Sequence, residues 1–152
     1  MKLSERLKSY TWFIKASYKD DDKEVEVYGT RFALKNDKTT LWKSIEESDL
    51  VLITSAHYFP KFPRSIAVRR FDDNSFLEAE VLDRKARWDT TLLVVKGANC
   101  GNYAEFCDDG SISDCQTLLQ VGNLEDMIWS IFVGRAAYPK VALEVRSSTL
   151  MG

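Results

Sequence analysis

Asp49-Leu50-Val51-Leu52-Ile53-Thr54-Ser55 sets four consecutive apolar residues between polar ends. A run this short and this apolar suits a strand buried on both faces. Thr90-Thr91-Leu92-Leu93-Val94-Val95 has the same character and is strongly strand-forming. Between these two runs, Leu77, Ala79 and Val81 alternate with Glu78 and Glu80, the period of a half-buried strand. Residues 65–71 alternate as well, and Asp72-Asp73-Asn74 supplies a hairpin turn. Upstream, Val25 and Val27 flank Glu26 at the start of a run that reaches Leu34. Residues 10–17, 116–121, 128–133 and 140–146 complete the set, while 97–113 is a loop rich in Gly, Asn, Asp and Ser. Helix signals are weak. Residues 40–47, with Trp42 and Ile45 on one face, are expected to form a turn or two. About nine evenly spaced strands predict an all-β fold, an antiparallel barrel or sandwich.

Composition narrows the functional classes. The chain has 152 residues, enough for one domain with a real core. Its 21 basic and 23 acidic residues leave a charge of −2 and no basic stripe, so no nucleic-acid partner is expected. Arg69-Arg70 and Lys85 to Arg87 are short and read as solvated strand ends. No apolar run approaches ~18 residues, so no membrane span is expected. The charged N-terminus lacks the pattern of a secretory signal, and Cys100, Cys107 and Cys115 are an odd number. Together these predict reduced, buried thiols and an intracellular location: cytoplasmic, nuclear or organellar. The cysteine spacings do not fit zinc ligand pairs, so no metal and no cofactor are expected.

The chain has one histidine. It lies in Ile53-Thr54-Ser55-Ala56-His57, directly after the buried run. Asp89 opens the strand run at 90–95 and follows His57 by 32 residues. This order and spacing resemble trypsin-like (chymotrypsin-fold) serine peptidases, and among them the compact Deg-like branch. Two other segments carry the resemblance. Gly29-Thr30-Arg31-Phe32 is similar to the family's Gly-Ser/Thr-Gly-Phe strand. Val121-Gly122-Asn123 followed by Ser130-Ile131-Phe132-Val133-Gly134 is similar to its Gly-Asn-Pro and Ser-Val-Thr-Val-Gly segments.

The resemblance implies a six-stranded antiparallel β-barrel over residues 1–135, with 136–152 as the start of an incomplete second barrel. It implies catalytic roles for His57 and Asp89, set on adjacent strand ends. Histidine takes the proton of a serine hydroxyl and returns it to the leaving amine, while aspartate orients the imidazole. The sequence also departs from the family. Arg31 replaces a small residue, Thr90-Thr91 replace an apolar pair, and Leu124-Glu125-Asp126 replace the Pro-containing turn. No Gly-x-Ser-Gly occurs. The resemblance places the serine about 75 residues beyond the aspartate, past Gly152. Ser147 and Ser148 lack the glycines of an oxyanion hole and read as strand-end residues.

Three functional expectations follow. In the first, the chain is the amino-terminal part of a Deg-like serine endopeptidase domain, inactive alone for want of the nucleophile. In the second, it is a non-catalytic pseudo-peptidase module that binds protein or peptide, or assembles with itself through exposed edge strands. In the third, an unrelated small barrel binds a ligand or nucleic acid, with the four tryptophans as stacking platforms.

Overall fold

A computed structural model describes residues 2–36, 44–59, 63–71, 73–108, 110–124 and 127–137. The expected strand at 140–146, Ser147 and Ser148, Trp42 and all of 136–152 beyond Ala137 lie outside the described residues. Contacts divide the chain into two compact units. One is built on Met1–Glu105 with Val121–Ser130, the other on Phe106–Gln120 with the described part of Ile131–Gly152.

The fold is all-β in character, as the alternation predicts. One helix, α1 (Leu3–Tyr10), precedes β1 (Thr11–Asp20) and β2 (Lys23–Leu34). Then come β3 (Leu50–Thr54), β4 (Ser65–Arg70), β5 (Leu77–Glu78), β6 (Glu80–Lys85) and β7 (Thr90–Val95). These seven strands form one antiparallel sheet in the order β5-β4-β1-β2-β3-β7-β6. The sheet curls. Its two outermost strands, β5 and β6, are separated along the chain only by Ala79, whose N–H donates to the Ile66 carbonyl of β4 at 2.9 Å. A separate two-stranded sheet pairs β8 (Thr117–Leu124) with β9 (Met127–Arg135). Backbone bonds between Cys115 and Ala136 (2.7 Å) and between Ala136 and Gln116 (2.9 Å) extend that hairpin.

The run that opened the reading sits at the centre. Leu52 of β3 lies opposite Leu93 of β7, and both are fully buried. Leu50, Leu52, Leu93 and Val95 join Trp12 and Ile14 in the main core. Val51 and Leu92, which point the other way on their strands, form a second cluster with Ile45. β3 and β7 therefore carry apolar side chains on both faces, which is why neither run alternates.

The far end of β3 is fastened by Asp49. Its buried carboxylate accepts the Glu46 and Gly97 backbone N–H groups, each at 3.0 Å, and the Lys96 ammonium at 2.9 Å. These donors hold its carboxyl below the ordinary value of 3.8, the Glu46 N–H having the largest effect. The folded chain thus binds this proton more weakly than the unfolded chain does. The resulting stability is complete above the ordinary value and is lost as pH falls through the lowered one. Melting temperature is expected to stay level down to about pH 5 and fall below about pH 4. Asp49→Asn should melt lower at neutral pH and show a shallower acid fall, readable by circular dichroism. An equally steep fall in the variant would assign the acid sensitivity to other groups.

Two sequence expectations are corrected. Helix signals are weak throughout the sequence, the charged N-terminus included, yet α1 forms there. Its residues are mostly good helix formers, but it buries no side chain fully: its short stripe of Leu3, Leu7 and Tyr10 is only partly covered, Tyr10 packing against the main core. Local bonds hold it instead: the Lys2 N–H reaches Glu5 at 3.3 Å, and the Thr11 hydroxyl reaches the Leu7 carbonyl at 2.6 Å. The cysteines are free, and Cys100 packs against the core, but Cys107 and Cys115 are exposed rather than buried, because the residues around them are polar and mostly exposed. Among the described residues, no helix is long and apolar enough to cross a membrane.

Candidate active site

β3 and β7 pair in antiparallel register, with Thr54 opposite Thr91. The chain leaving β3 and the chain entering β7 therefore emerge side by side at one end of the sheet. After Ser55, residues Ala56–Tyr58 make a single 3₁₀ turn. On the other side, a second turn, Ala86–Trp88, ends in Asp89, whose backbone is left-handed at φ 49°. Aspartate tolerates that conformation better than most residues. The tight reversal aims the Asp89 carboxylate across at the first turn.

His57 and Asp89 meet there through two contacts. The imidazole Nδ1 is 2.6 Å from Oδ2, and the backbone N–H of His57 donates to Oδ1 at 2.8 Å. A third bond, from the Ala56 N–H to the Asp89 carbonyl at 3.0 Å, joins the two turns through the backbone. These bonds hold the Asp89 carboxyl below its ordinary range, the His57 backbone N–H first and the ring second. An ionised carboxylate only accepts, so Nδ1 is the donor and the neutral ring keeps its lone pair on Nε2. Nε2 has no hydrogen-bond partner among the described residues, and the His57 side chain is 75% exposed. The ring is thus held on one edge and open on the other, as a proton acceptor for an incoming group should be.

The turn that carries His57 is gripped from three further strands. From β1, the Tyr18 hydroxyl donates to the Tyr58 carbonyl at 3.0 Å. From β6, the Arg84 guanidinium reaches the Ala56 carbonyl at 3.3 Å. From β2, the Arg31 guanidinium lies 3.9 Å from the centroid of the Tyr58 ring. Gly29, also on β2, makes room for that ring: a Cβ there would lie 2.8 Å from the Tyr58 hydroxyl oxygen. A glycine inside a strand signals such close approach, and it was the one sequence mark of this support. Arg31 was noticed in the sequence only as a departure from the family pattern.

Of the tryptophans considered as stacking platforms, Trp12 is core and Trp88 is exposed beside Arg87, whose guanidinium is 5.7 Å from its ring centroid. The side chains of the other two, Trp42 and Trp129, lie outside the described residues. Among the described residues, no group of three His, Cys, Asp or Glu side chains converges as a metal site would require. No protein-family model matches the sequence, and no curated protein matches it.

Proposed function

We propose that the chain is the amino-terminal barrel of a trypsin-like serine endopeptidase domain, of Deg-like type. In this reading His57 is the general base, Asp89 orients it, and the nucleophilic serine is supplied from outside residues 2–137. The observation that carries the reading is the Nδ1–Oδ2 contact of 2.6 Å backed by the His57 N–H on Oδ1. One carboxylate fixing both the ring and the backbone of the same histidine is the preorganisation that general-base catalysis needs.

The strand pairing supports the same reading. If β5 and β6 are counted as one strand broken at Ala79, six antiparallel strands follow each other round a ring. His57 and Asp89 then leave from adjacent strands, as the resemblance implies. In the reaction, Nε2 would remove the serine proton as oxygen attacks the scissile carbonyl. Asp89 would stabilise the imidazolium until the proton passes to the leaving amine. The oxyanion donors, like the serine, would come from the second barrel. The substrate class would be a protein or peptide.

Without a nucleophile, residues 1–152 alone are expected to hydrolyse peptides no faster than buffer does. The deciding experiment uses the product of the complete native coding sequence, treated with a fluorophosphonate probe. Labelling that His57→Ala abolishes would support the peptidase. A product that takes no label and contains no Gly-x-Ser-Gly would leave the non-catalytic binding module as the reading.

A further inference from the structure

Arg31 occupies an expensive position. Only 6% of the residue is exposed, yet among the described residues no carboxylate pairs with it, and its Nε and Nη2 have no hydrogen-bond partner. Among the described residues, the one hydrogen bond its side chain makes goes to the adjacent Thr30 carbonyl. Burial pushes its pKa down to about 10, so it remains a cation at neutral pH. A leucine or methionine would fill the same space without desolvating a charge. What a guanidinium offers that they do not is a flat cationic face, and that face lies on Tyr58.

Tyr58 is the residue after His57 and the last of the 3₁₀ turn. Its ring has little freedom. Phe59 packs edge-on against it with centroids 5.5 Å apart, its hydroxyl end abuts Gly29, and its carbonyl is held by Tyr18. The guanidinium closes the remaining face. We propose that Arg31 is a positioning residue for the His57–Asp89 pair, its buried guanidinium clamping the Tyr58 ring and so fixing the turn that presents His57. The proposal rests on the peptidase reading for the use of that pair, but not for the clamp itself. Removing the guanidinium frees the ring to tilt into the space beneath it. The turn then loosens, and the His57 N–H moves off Asp89 Oδ1. Arg31 touches no reacting atom, so its effect passes entirely through Tyr58.

The test reads the pair directly by nuclear magnetic resonance in the 152-residue chain. Two signals are followed: the Asp89 carboxyl carbon through an acid titration, and the slowly exchanging proton on His57 Nδ1. In Arg31→Met, the Asp89 midpoint is expected to rise towards the ordinary carboxylate value, and the Nδ1 proton to be lost to exchange. Arg31→Lys should behave the same way, since an ammonium lacks the flat face. Tyr58→Leu should match it, and the double variant should be no worse than either, because both remove one interaction. A folded Arg31→Met with both signals unchanged would overturn the proposal. Should that variant not fold, unchanged signals in folded Arg31→Lys or Tyr58→Leu would overturn it equally. Unfolding in all three would also overturn it, by making Arg31 a folding residue. The peptidase reading fails separately, if the unaltered chain shows no protected Nδ1 proton and an ordinary Asp89 midpoint.

Discussion

Asp89→Asn is expected to lower the turnover of the proposed peptidase by about 10⁴-fold while leaving its melting behaviour nearly unchanged. Asparagine accepts the left-handed backbone at this position, and the Ala56 N–H still finds the residue 89 carbonyl. The amide oxygen can still accept the His57 backbone N–H. The ring loses its partner, because the amide offers Nδ1 a donor where the carboxylate offered an acceptor. Imidazole then carries its proton on Nε2, the atom that should remove the serine proton, and the base is present in the wrong form. The measurement is kcat on a saturating peptide substrate, with a thermal melt beside it. An unchanged kcat would remove Asp89 from the mechanism, whatever the geometry.

Leu52→Ala is expected to destabilise the chain by about 2–5 kcal/mol, a large part of the roughly 5–15 kcal/mol typical of a domain. Leu52 has no exposed surface and faces Leu93, which has none either. The cavity would open in the middle of the pairing that aligns both halves of the site, where neighbouring strands on each side restrict collapse. Urea unfolding should show a lower midpoint at unchanged slope. Val25→Ala, at an exposed strand position, serves as the control and should stay within about 0.5 kcal/mol of the starting chain. A Leu52→Ala cost near that of the control would mean that the core at β3 is loosely packed.

Strand identity was legible where burial is strongest. Leu50–Ile53 and Leu92–Val95 are apolar throughout because both faces of their strands are covered. The proximity of His57 and Asp89 was legible only through resemblance, since nothing in a 32-residue interval states that two strand ends are neighbours. α1 escaped because its periodic trace is only three residues long, Leu3, Leu7 and Tyr10, among charged neighbours. Arg31 escaped for a different reason. A charged residue in a strand reads as outward-facing, and only the positions of Gly29 and Ala33, buried on the same side, show that it points inward. The break at Ala79 was invisible as well, because Leu77, Ala79 and Val81 keep perfect alternation across it. Alternation records which way side chains point, not which neighbour the backbone bonds.

That break has a consequence for how the molecule breathes. β5 has two residues, held to β4 through the pairs Ala67–Glu78 and Val68–Leu77, whereas β6 is paired to β7 along five positions. Leu77 is itself 40% exposed, so the apolar contacts that resist separation there are incomplete. Local openings start where burial and pairing are thinnest. Deuterium should therefore enter the amides of residues 77–79 earliest in the seven-stranded sheet, long before those of β3 and β7. The seam would part like a clasp, briefly loosening the curl of the sheet, while the end that carries His57 and Asp89 stays shut.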